Sequence, residues 1–134
     1  MKLIPVLLLI LLGSHSAFAA EQVPPEETQA GMNTAAGERF LAAEAELARV
    51  LDALASKRKG NPQALAKLRQ SQAAWEAYRS AQLELPWAPV EANQYGSAYP
   101  MCVANLKTQL TEARVQELRA LLASQEGDVC ASAW

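Results

Sequence analysis

The stretch SQAAWEAYRS, residues 71–80, sets Trp75, Tyr78 and Arg79 about one helical turn apart. A guanidinium beside two aromatic rings could grip a ligand through its donors and a ring face. The same set could instead brace a core, with Trp75 buried and Arg79 supplied with acceptors. Trp75 and Arg79 fall on one three-four stripe with Leu65, Leu68, Gln72 and Gln82, so the brace is the preferred reading. Arg79 is expected to bond backbone carbonyls of the 86–99 loop or a carboxylate such as Glu117, clamping loop to helix. Arg114 is expected to do a similar job.

Other chemistry is thinly supplied. The one histidine, His15, lies in a segment read below as removed. Without it the chain has no imidazole for Ser-His or Cys-His catalysis or for a His-containing zinc site. Two cysteines, Cys102 and Cys130, are too few for a zinc site built on Cys alone. The nearest carboxylate groupings are Glu26 with Glu27, Glu44 with Glu46, and Glu112 with Glu117. None has the Glu-x-x-His partners of a bundle metal site. No catalytic residue, metal ligand or cofactor is therefore assigned, and the expectation is a protein that is not an enzyme.

These residues must be held by helices, because strand-like alternation is absent from the chain. Residues 1–19 read as a signal peptide. Lys2 is the positive start, LIPVLLLILL the apolar run, and Ala17 and Ala19 the small residues before a cut. An apolar run of about ten residues is too short for the roughly 20 that span a bilayer. A periplasmic or secreted location follows, with no stable membrane anchor after cleavage. The full chain has a formal net charge of −2, one unit more negative without Lys2. That balance draws neither nucleic acid nor anionic lipid.

Residues 20–34, with Pro24, Pro25 and Gly31, read for the most part as a flexible leader, with room for a short helical turn. A helical domain is expected over 35–124, followed by a tail at 125–134. Helix one should run over 35–59 with Phe40, Ala43, Leu47, Val50 and Leu54 inward. Its end, KRKG, reads as a solvated cap that complements the helix dipole, rather than as a patch for anionic surfaces. Asn61 and Pro62 mark the start of helix two, which Pro86 stops. A turn of about three residues makes the first two helices antiparallel neighbours.

The loop over 86–99 is long enough to be functional, although Trp87 could simply cover the end of the helix pair. Helix three should begin near Ser97, as a cap, with Val103, Leu106, Leu110, Ala113, Glu117 and Leu121 on its stripe. The class is all-α: a small three-helix antiparallel bundle with a long loop between helices two and three. Cys102 lies near the start of helix three and Cys130 beyond its end. The rise of about 1.5 Å per residue separates them too far for an intramolecular bridge unless the helix breaks. The thiols are read as free or paired between molecules.

QAAWEAYRSA (72–81), YGSAYPM (95–101) and LTEARVQEL (110–118), in this order, resemble the LprI-type lysozyme inhibitor N-terminal domain family. AEAELARVLDAL (43–54) is similar to that family's first helix. The resemblance implies a small exported helical domain that binds a protein partner, with lysozyme inhibition as its function. A structural or stress-related envelope protein is the alternative. The motif residues Gln72, Trp75, Tyr78, Arg79, Gly96, Ser97, Leu110, Thr111, Arg114 and Leu118 are then structural. The loop residues Trp87, Glu91, Asn93, Gln94 and Tyr95 become the candidate contacts. Lysozymes are usually basic and bind sugars in an acidic cleft, which an aromatic or polar loop could plug. Such domains are typically disulfide-linked, but the matching positions here are Leu83 and Leu106, implying an apolar contact instead.

Overall fold

The computed structural model describes residues 25–87 and 95–123. The proposed signal peptide, the first part of the leader, loop residues Glu91, Asn93 and Gln94, Cys130 and the tail lie outside the described residues. A 3-10 turn over Pro25–Glu27 leads into α1 (Gln29–Lys57), followed by α2 (Pro62–Glu84) and α3 (Tyr99–Leu122). Among the described residues there is no strand, as expected for an all-α bundle.

The start of α1 corrects the expected boundary. Residues 29–34, read as leader, are helical. The cause is a cap at Thr28, whose Oγ1 accepts the Gly31 N–H at 3.0 Å. At the other end, α1 stops at Lys57 and the chain turns through residues 58–61. Asn61 then caps α2 by accepting the Ala64 N–H at 3.0 Å, and Pro62 occupies the first helical position. Both of these roles match the sequence reading.

Successive helices are antiparallel, so α1 and α3 run parallel. The pairs Asn33 with Ser97, Arg39 with Asn105 and Lys57 with Leu122 keep a nearly constant offset along the two helices. The α1–α3 pair is the main interface, and α2 lies more lightly against it. The core joins Leu47, Val50 and Leu54 of α1 to Leu68 of α2 and Val115 and Leu118 of α3. Trp75, Leu51 and Leu121 pack on its edge. Burying each such aliphatic side chain stabilises the fold by about 1.5–3 kcal/mol.

The stripe of α3 is rotated from the expected one. Ala113 and Glu117 are exposed, whereas Thr108, Thr111, Val115 and Leu118 form the buried line. Two threonines conceal this line in the sequence. Thr108 satisfies its hydroxyl by donating to the Ala104 carbonyl at 2.8 Å, and Thr111 bonds across the bundle. The start of α3 also differs. Its N-cap is Ala98 without a side-chain bond, so Ser97 is not the cap. Instead the Ser97 carbonyl accepts from Asn33 Nδ2 at 3.0 Å, tying α1 to the entry of α3.

Candidate functional site

The motif of residues 71–80 builds a junction between all three helices. Arg79 Nη1 of α2 is ion-paired to Glu44 of α1 and donates to Thr111 Oγ1 of α3 at 3.1 Å. Thr111, fully buried, donates in turn to Glu44 Oε1 at 3.3 Å. The Arg79 guanidinium also lies 4.6 Å from the Trp75 ring centroid and 5.9 Å from that of Phe40. Lys107 Nζ sits over the same Phe40 ring at 5.2 Å. The Arg79 guanidinium is thus engaged by an acid, a hydroxyl and a ring face inside the bundle.

Arg79 does take a carboxylate, as expected, but it is Glu44 of α1 and not Glu117. It bonds neither the 86–99 loop carbonyls nor Glu117 among the described contacts; it clamps helix to helix. Glu117 is taken by Arg114 Nη1 at 3.0 Å, and Arg114 Nη2 donates to Ser71 Oγ at 2.8 Å. Arg114 therefore ties α3 to α2, a brace between helices where the sequence reading placed a clamp on the loop. Gln72 is half-buried and bonds Glu76 within its own helix. Leu110 is half-buried and Leu118 belongs to the core. Tyr78 departs from this group, being 51% exposed. Leu83 and Leu106 are both half-buried.

A second cluster occupies the pole where α1 and α3 begin and α2 ends. Trp87 meets Tyr99 edge-on at 5.4 Å between centroids, and Tyr95 stacks on Tyr99 at 4.8 Å. Tyr99 therefore gathers the residues on both flanks of the 88–94 segment. It was not among the sequence candidates, although its spacing of four from Tyr95 at a helix start was the available signal. Gly96 adopts φ of +68° between them, a left-handed geometry that favours glycine. Beside Tyr99 lies an open depression of about 320 Å³ lined by Phe40, Tyr99, Pro100, Val103, Ala104 and Lys107.

The pole exposes acids, with Lys107 on the wall of the depression and Arg39, bonded to Asn105, as its nearest bases. No Lys or Arg occurs in 25–38, 80–87 or 95–106, whereas Glu27, Glu38 and Glu84 are exposed there. Its chemistry is aromatic area with exposed acids at its edge. Among the described residues no group of three His, Cys, Asp or Glu side chains could hold a metal. Cys102 is exposed and free near the start of α3. No described helix is long and apolar enough to cross a membrane.

A family described as lysozyme inhibitor LprI matches residues 19–118. That span takes in α1, α2, both clusters and most of α3. The chain belongs to the lysozyme inhibitor LprI family. Neither the curated proteins nor the solved structures searched return a match. The junction around Arg79 and the aromatic pole are accordingly features of this LprI-family chain, described from its own geometry.

Proposed function

We propose that this chain is an exported, non-enzymatic protein that binds a lysozyme and blocks its action, using the pole around Trp87, Tyr95 and Tyr99. One observation carries the choice of surface: half-buried aromatic rings stand at an end of the molecule where Glu27, Glu38 and Glu84 are exposed. Aromatic anchors beside a depression are the groups that dominate binding energy at protein interfaces. An anionic rim favours encounter with a basic partner such as a lysozyme. The family membership supports the inhibitor reading. Glu91, Asn93 and Gln94 belong to the same proposed surface by their place in the chain.

The test mixes the chain from residue 20 onward with several basic lysozymes, reading binding by calorimetry and residual lysis of cell walls. Binding at micromolar concentration or tighter, with lysis reduced, is expected. Absence of binding to every lysozyme overturns the proposal and leaves the structural envelope protein. Trp87→Ala should weaken binding by about 30-fold, the effect of losing a hot-spot aromatic worth about 2 kcal/mol.

A further inference from the structure

Lys107 stands apart from the other bases that the fold covers. Arg58, Arg79, Arg114 and Lys107 are the half-buried bases among the described residues. Arg79 and Arg114 are ion-paired, and Arg58 also has a partner. Lys107 enters no hydrogen bond and no ion pair among the described residues; its ammonium lies over the Phe40 ring at 5.2 Å. A ring face attracts the charge but is a poor acceptor for its N–H groups. On α3 no acid stands three or four residues from it, where Val103, Ala104, Leu110 and Thr111 occur. Glu44, one turn along α1 from Phe40, is already held by Arg79 and Thr111.

This ammonium belongs to the depression beside Tyr99. Tyr99, Val103 and Lys107 follow one another at spacings of four on α3, and all three line it together with Phe40 of α1. Tyr99 adds a hydroxyl that bonds nothing among the described residues. The local charge differs from that of the pole around it. Lys107 and Arg79 both lie over the Phe40 ring, against the one acid Glu44. Glu27, Glu38 and Glu84 do not line the depression. Glu38 leaves α1 on nearly the opposite side from Phe40, two residues and about 200° round the helix.

We infer that this depression binds a small organic acid, a single carboxylate carried on an apolar body. The carboxylate accepts from the Lys107 ammonium, and the body lies against Phe40, Tyr99 and Val103. Apolar and aromatic walls with few polar groups are the make-up of small-molecule sites, and about 320 Å³ is at the small end of their range. Two cations against one acid leave one charge to match, which suits a monoanion and not a doubly charged phosphate. Lysine also acts as a point charge, without the fork by which arginine grips a phosphate in two bonds. The site goes beyond the lysozyme reading and does not rest on it.

The experiment uses the chain from residue 20 onward, which contains every described element. It is titrated with 3-phenylpropanoate and, separately, with 3-phenylpropanamide, which has the same shape and no charge. Binding is followed by amide chemical shifts. The acid should saturate with a Kd of about 1 mM or tighter, moving Phe40, Val103 and Ala104 most. The amide should bind about tenfold more weakly. Lys107→Met keeps the stem and should reduce the acid to the amide's affinity. Lys67→Met removes an equal charge from α2 and should change neither, with both variants keeping the parent melting curve. The comparison of acid with amide on the parent chain stands even if Lys107→Met does not fold. No saturation by 3-phenylpropanoate, equal binding of acid and amide, equal loss in the two variants, or shifts centred away from the depression overturns the inference. So does tighter binding of an acetylated peptide ending in a phenylalanine carboxylate, which would make the site a reader of chain ends. No lysozyme is present, so failure here leaves that reading untouched.

Discussion

Thr111 has no exposed surface, yet its hydroxyl is fully used: it accepts from Arg79 and donates to Glu44. Replacing it with valine keeps the shape and removes both bonds, leaving the ion pair short of one partner. Thr111→Val should lower stability by about 1–2 kcal/mol, a fall of about 4–16 °C in Tm for a domain of this size. Arg79→Lys should cost a similar amount despite keeping the charge. An ammonium cannot lie flat on the Trp75 ring while reaching both Glu44 and Thr111. Thermal melts monitored by circular dichroism check both.

Trp75 and Trp87 separate the two roles further. Trp75 packs on the core beneath Arg79, so Trp75→Ala should lower stability by about 2–4 kcal/mol. Trp87 sits at the pole against Tyr99, and its loss should fall mainly on partner affinity. If Trp75→Ala melted like the parent, the ring would not be part of the core.

At the scale of elements, α2 was the most legible. Its stripe of Leu65, Leu68, Gln72, Trp75, Arg79 and Gln82 is buried or half-buried along its whole length, because every third or fourth residue is apolar or carries a long stem. The inner stripe of α1 was read for the same reason. Its start was hidden because Thr28 stands behind two prolines and an acidic pair that resemble a leader. The face of α3 was misplaced because Thr108 and Thr111 look polar until their hydroxyls find partners inside. Glu44 went unassigned as the partner of Arg79, since nothing local marks a pair 35 residues apart. The junction thus needed the fold, whereas Trp87 and Tyr95 could be picked out from residue type and loop position alone.

Gly37 lies in the interior of α1, and a Cβ built there meets nothing within 4 Å. Gly37→Ala should therefore stabilise the protein by about 0.5–1 kcal/mol through helix propensity and a less free unfolded chain. Gly96→Ala should do the reverse by about 1 kcal/mol. Its surroundings are equally open, but its φ of +68° strains any side chain. A denaturant midpoint for each variant resolves the two signs.

At the scale of the whole molecule, the pole around Tyr99 exposes Glu27, Glu38 and Glu84 at its rim. Rim charges chiefly alter association rates and their response to salt. Glu27→Gln, Glu38→Gln and Glu84→Gln together should slow association with a basic lysozyme and flatten its salt dependence. Dissociation should change little, because the aromatic contacts persist. Stopped-flow association at several salt concentrations would show it. An unchanged rate would detach the acids from the encounter.

The parallel pairing of α1 with α3 also determines how the chain reaches this shape. In most small helical bundles, neighbours in sequence provide the dominant contacts and folding is fast. Here the dominant pair joins segments about 65 residues apart, as Asn33 with Ser97 and Lys57 with Leu122 show, and the intervening helix contributes Leu68 as its buried residue. The chain must close a long loop before its best contacts form, a cost in entropy that local helix formation does not repay. Its folding rate should fall below those of helical bundles of equal length. The return helix, held mostly at its inner stripe, is the segment expected to exchange its amide protons first.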